Sequence, residues 1–191
     1  MAELIVFHHA LGLTDGVRSW AAALREEGHT VQTPDLYEGR TFANLAAGVA
    51  FAEEIGFETV IDRGVAAAGD AGPGIVFCGF SLGVLPAQKL AQSRPDARGA
   101  VLISAAVPPA MFGSAWPDTV PVQIHLMEQD PFVVDEDLPA AQELVAEAAD
   151  GELFIYEGSE HLFFEAGVPN HRPEHADELK ARVLEFLERI G

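Results

Sequence analysis

The chain has 191 residues, 49% of them hydrophobic and 21% charged, which suits one soluble globular domain with a sizeable core. It sets 30 Asp and Glu against 11 Lys and Arg, a formal charge of −19. That balance argues against nucleic acid and anionic membrane surfaces as partners, since both are bound through Lys and Arg. Cys78 is the only cysteine, so no internal disulfide is possible. Met1-Ala2-Glu3-Leu4 shows no signal-peptide pattern, and no apolar segment reaches the ~18 residues of a membrane span; a cytoplasmic protein is expected.

Leu4 to His9 reads as a buried strand and Ala10-Leu11-Gly12-Leu13 as the loop leaving it. Thr14 is placed to cap a helix running to Glu27, with Val17, Trp20, Ala21 and Leu24 on one face and Gly28 as its stop. His29 to Thr33 is a second strand, closed by Pro34-Asp35. Thr41 to Glu54 and Glu58 to Ala68 read as helices separated by Gly56. A third strand, Gly74 to Gly79, leads into a helix from Val84 to Ser93, whose first turn tolerates Pro86. Ala100 to Ala105 is a fourth strand, Val107 to Asp118 a loop, and Val120 to Met127 a fifth strand ending at Gln129-Asp130-Pro131. Leu138 to Ala149 is helical, Glu152 to Tyr156 is a sixth strand, and Gly158-Ser159-Glu160-His161 opens a long loop. Pro173 to Ile190 closes the chain as a helix. This alternation predicts an α/β fold: about six mainly parallel strands with helices on both faces and a site at the strands' carboxyl ends.

Gly79-Phe80-Ser81-Leu82-Gly83, between the third strand and its helix, has the form of a nucleophile elbow. Ser81, Asp130 and His161 follow the third, fifth and sixth strands, so three loops can bring them together. A serine hydroxyl needs an imidazole to take its proton, and the imidazole needs a carboxylate to hold its tautomer. Asp135 is the alternative carboxylate, and His171 and His175 are the alternative bases. The backbone amides of Leu82 and Ala10 are the candidate oxyanion donors. His9, Leu11, Phe112, Trp116, Leu162, Phe163 and Glu165 are candidate pocket residues, with core packing as the competing role for the apolar ones. The histidines lack zinc-ligand spacing, and no phosphate loop or dinucleotide fingerprint follows the first strand, so neither metal nor cofactor is expected. Cys78 reads as a small core residue.

With these residues assembled, the chain resembles the dienelactone hydrolase family of small α/β-hydrolases. The resemblance rests on Phe7 to Gly12, Thr33-Pro34-Asp35-Leu36-Tyr37, the elbow, His125 to Val133, and Tyr156 to Phe163. It implies a compact α/β-hydrolase fold and an ester or lactone substrate. Three positions depart from the family's pattern. Ser81 stands where the best-known members carry a nucleophilic cysteine, and His9 where they carry a glutamate that holds it. Phe164-Glu165 stands where the dienelactone enzymes place an arginine for the substrate carboxylate. The last change predicts that Glu165 repels anionic substrates, unless Arg40 or Arg172 supplies an anion site.

The reading is a serine hydrolase of small, uncharged ester, thioester or lactone substrates working through an acyl-enzyme. Its alternatives are a non-catalytic α/β-hydrolase-like binding protein and an acyltransferase or perhydrolase with the same intermediate. The acyl and alcohol groups and the oligomeric state stay open.

Overall fold

The computed structural model describes all 191 residues, Met1 to Gly191. Six strands, β1 (Glu3–Phe7), β2 (Thr30–Gln32), β3 (Ile75–Phe80), β4 (Gly99–Ile103), β5 (Val122–Met127) and β6 (Gly151–Tyr156), form one sheet in the order β2-β1-β3-β4-β5-β6. Every pairing is parallel. The helices are α1 (Asp15–Glu26), α2 (Leu45–Ile55), α3 (Phe57–Ala67), α4 (Val84–Ser93), α5 (Asp137–Glu147) and α6 (Pro173–Ile190). None is long and apolar enough to cross a membrane.

Strand neighbours point to opposite faces, so an unbroken apolar strand serves two cores at once. Leu4 and Val6 of β1, with Val76, Cys78 and Phe80 of β3, pack under α1 and α6. Ile5 and Phe7, with Phe77, pack under helices α2 to α5. α1 presents Val17, Trp20, Ala21 and Leu24 to the first core, the face expected from its 3.6-residue spacing. Trp20 meets Phe80 edge-on at 5.0 Å, and Phe164 stacks on the same ring at 4.2 Å. Each such buried ring adds about 1.5–3 kcal/mol through area removed from water.

The differences from the expected elements are local. β1 stops at Phe7, so His8 and His9 leave the strand, yet both stay buried. α2 starts at Leu45 rather than Thr41 because the Asn44 side chain accepts the Ala47 amide at 2.9 Å and caps the helix there. β3 runs one residue further than expected, through Phe80. The loop from Val107 contains a short 3-10 turn at Pro109–Phe112.

The chain builds β1 and β2 outward, then returns to lay β3 on the other side of β1. Between β1 and β3 the strand order reverses, the place where ligands commonly bind in open parallel sheets. The loop after β1 and the turn after β3 leave the sheet from that point.

Candidate active site

β3 ends in a turn that carries Ser81 with φ 49, a left-handed conformation costing a non-glycine residue on the order of 1–3 kcal/mol. The two glycines that bracket it, Gly79 and Gly83, have no room for a side chain. A Cβ on Gly79 would collide with the Gly83 carbonyl, and a Cβ on Gly83 with the Phe7 carbonyl. The two glycines thus let the turn close on itself and press against the end of β1. α4 follows at Val84 with Pro86 as its third residue.

The Ser81 hydroxyl lies 2.7 Å from Nε2 of His161, and Nδ1 of His161 lies 2.6 Å from Oδ2 of Asp130. Asp130 is fully buried, and its Oδ1 accepts the Phe132 amide at 2.9 Å. A buried carboxylate at Nδ1 fixes the proton there and leaves Nε2 as the acceptor facing the serine. The Phe132 ring packs 4.7 Å from the imidazole. At the end of β4, Ser104 donates its hydroxyl to the His161 carbonyl at 2.6 Å and itself has φ 59. Asp135 is exposed, and His175 is held by the Glu157 carbonyl at 3.1 Å.

Ala10 is a buried residue whose amide donates to no acceptor in the protein. The Leu82 amide lies in the first turn after Ser81, where helical amides lack an acceptor of their own. His9 and Glu165 meet each other through Nε2 and Oε2, both buried. Glu165 also accepts the Thr14 hydroxyl at 2.7 Å, and Nδ1 of His9 accepts the Leu11 amide at 3.2 Å.

A cavity of about 460 Å³ opens beside Ser81 and His161. Leu82, Leu85, Val107, Met111 and Phe132 give it apolar walls, and Glu136 and Asp137 are its carboxylates; no lysine or arginine lines it. Burial pushes the Asp137 carboxyl up to about 6, against the pull of the Ala106 amide that donates to it at 2.9 Å.

Several expected pocket residues lie elsewhere. Glu165 does not line this cavity, so the predicted repulsion of anions from that side chain is corrected: His9 and Thr14 already occupy its oxygens. Trp116 is a core residue whose Nε1 donates to the Val120 carbonyl at 2.7 Å. Phe112 lies 5.5 Å below the Lys89 ammonium, and Phe163 is buried against Tyr156 and Phe164. Leu11 and Leu162 line a separate cavity of about 210 Å³ with Leu45 and Val168. Neither arginine reaches the Ser81 cavity. Arg40 covers the Phe51 ring at 4.9 Å, while Arg172 pairs with Glu160 and holds that carboxyl below its usual range.

Ser104, Phe132 and Asp137 escaped the sequence reading. Phe132 and Asp137 stand two and seven residues after Asp130, a proximity in the chain that marks them as neighbours of the site.

The model for the family described as dienelactone hydrolase matches residues 2–191. No curated protein sequence matches the chain. Among solved structures, it is similar to a dienelactone hydrolase-like promiscuous phosphotriesterase from metagenomic libraries. That match has 18% identity and a TM-score of 0.80, covering 100% of this chain and 87% of the other. Mouse alpha/beta hydrolase domain-containing protein 10 matches at 15% identity and TM-score 0.71, over 99% and 90% of the two chains. A cold-adapted esterase from an Arctic intertidal metagenomic library matches at 19% and 0.64, over 98% and 81%. These likenesses show an α/β-hydrolase fold.

Proposed function

The chain belongs to the dienelactone hydrolase family, and from that premise we propose that it hydrolyses small, uncharged carboxylic esters, thioesters or lactones through an acyl-enzyme on Ser81. The observation that carries the reading is the continuous hydrogen-bonded line from the Ser81 hydroxyl through His161 to Asp130, at 2.7 and 2.6 Å. His161 takes the serine proton as the oxygen attacks the carbonyl carbon. Asp130 stabilises the imidazolium that forms, and the amides of Ala10 and Leu82 receive the developing oxyanion. His161 then returns its proton to the departing alkoxide or thiolate. A water, deprotonated by the same imidazole, releases the acid and regenerates Ser81.

The walls of the cavity support the substrate class. Apolar side chains suit an acyl or alkyl group, and the two carboxylates disfavour an anionic one. Ser81→Ala should abolish turnover of a p-nitrophenyl ester while the fold persists; unchanged turnover overturns the mechanism. Labelling of Ser81 by a fluorophosphonate separates a hydrolase from a binding protein that keeps the same pocket. Product analysis with a competing alcohol or peroxide separates hydrolysis from transfer.

A further inference from the structure

We propose that Glu165 and His9 are positioning residues that join the loop of the general base to the loop of the oxyanion donor, so that the Ala10 amide and His161 hold one fixed relation. This rests on the reading of Ser81, His161 and Ala10 given above. The link can be followed atom by atom. Four residues after His161, a turn bonds the Glu165 amide to the Leu162 carbonyl at 3.1 Å and directs the side chain inward. One carboxylate oxygen meets Nε2 of His9, and the other accepts the Thr14 hydroxyl at 2.7 Å. The Thr14 oxygen in turn accepts the Val17 amide at 3.3 Å as the cap of α1.

The direction of each bond follows from the donors. An amide can only donate, so the Leu11 amide at 3.2 Å makes Nδ1 of His9 the acceptor and leaves the ring proton on Nε2, aimed at Glu165. The same loop is held by its backbone. The His9 carbonyl accepts from Nδ1 of His8 at 2.8 Å and from the Gly12 amide at 3.0 Å. In a trans peptide the carbonyl and the next amide point opposite ways, so anchoring the His9 oxygen aims the Ala10 N–H. Pins on both sides of Ala10 therefore set its direction, and Glu165 supplies the one that comes from the His161 loop.

Glu165 is also housed for this task. Its carboxylate sits at the N-terminus of α1, where the helix dipole favours negative charge. Gly16, in the first turn of that helix, leaves the space the carboxylate fills; a Cβ there would overlap Glu165. A buried anion with a hydroxyl donor, an imidazole donor and a helix end is satisfied without solvent. The pair lines neither the Ser81 cavity nor the smaller one beside Leu11, so it acts through the loop and not by touching substrate.

The test replaces the link while sparing the shape. Glu165→Leu fills similar space but offers His9 no acceptor, whereas Glu165→Gln retains an amide oxygen for it. In Glu165→Leu, kcat for a neutral p-nitrophenyl ester should fall about 10- to 100-fold with KM within about threefold, because an oxyanion donor acts in the transition state. Glu165→Gln should restore kcat to within about threefold of wild type. Hydrogen exchange at the Leu11 and Gly12 amides should quicken at least about tenfold in Glu165→Leu relative to β4 amides. Unchanged exchange, retained kcat, a loss carried by KM, or no rescue by Gln would each overturn the proposal. Should Glu165→Leu fail to fold, His9→Phe and Thr14→Val cut the same chain at its other links and are read the same way. The exchange measurement does not depend on turnover. A wild-type protein that hydrolyses no ester therefore sinks the proposed function, while exchange still decides whether the loops are joined.

Discussion

The Ser104 hydroxyl, just past the end of β4, donates at 2.6 Å to the carbonyl of His161, which stands early in the loop after β6. It fixes the backbone of His161 while Asp130 holds the ring, and both Ser104 and His161 are buried. Ser104→Ala leaves a buried carbonyl without its donor, which costs about 1–3 kcal/mol. We expect a lower midpoint in chemical denaturation and a kcat reduced roughly three- to tenfold, as the imidazole gains freedom to leave the serine. An unchanged kcat would show that Asp130 alone holds the ring.

Asp137 makes stability depend on pH in a defined direction. Its carboxyl is raised from 3.8 to about 6 by burial, so the folded chain holds this proton more tightly than the unfolded chain. The stability it supplies is complete below about pH 4 and is lost as pH rises through about 6. Asp137→Asn cannot titrate. After allowance for its partial exposure, the variant should gain about 1–2 kcal/mol over wild type at pH 8 and nothing at pH 4. Denaturation curves at the two pH values check this.

The charge preference of the site should come from Glu136 and Asp137, the carboxylates that line the cavity. A substrate carboxylate nearby is opposed by about 1–2 kcal/mol after screening, or roughly tenfold in kcat/KM. p-Nitrophenyl hexanoate should outrun the mono-p-nitrophenyl ester of adipate by that margin. The double variant Glu136→Gln with Asp137→Asn should narrow the ratio to about threefold. Equal rates for the two esters in wild type would remove these carboxylates as the source of selectivity.

Gly16→Ala sets local propensity against packing. In an open helix the change favours folding by about 1 kcal/mol. Here the new Cβ overlaps the Glu165 side chain, and overpacking costs about 1–3 kcal/mol. The expected outcome is a lower thermal midpoint together with a loss of kcat like that of Glu165→Leu. A more stable, fully active variant would show that Glu165 can move without consequence.

Much of this architecture is legible in the chain. β3 and β4 are buried on both faces and read as unbroken apolar runs, β5 keeps the same burial despite Gln123 and His125, and α1 announces itself through Thr14 and its 3.6-residue stripe. Ser81, Asp130 and His161 could be picked out because each follows a strand of one parallel sheet. What stays hidden is where a loop side chain turns. Glu165 is expected in the pocket because it stands where the resembled family keeps an arginine for the substrate, but its partner His9 lies 156 positions away and no local pattern encodes that meeting. Trp116 looks like a pocket wall by composition; its indole turns back to the Val120 carbonyl, a bond that depends on how the loop closes. Asp137 joins the cavity only because α5 brings its first turn to the end of β4, where the Ala106 amide meets it.

Cys78 lies three positions before Ser81, in the central strand β3, with its thiol wholly enclosed and its ionisation pushed upward by burial. Thiol chemistry requires the thiolate, so in the closed molecule this sulfur is silent. It becomes reactive only when the middle of the sheet parts, an event as rare as the loss of the fold itself. The chain therefore carries a built-in clock: the rate at which an alkylating reagent marks its single sulfur counts the openings of the strand that presents Ser81.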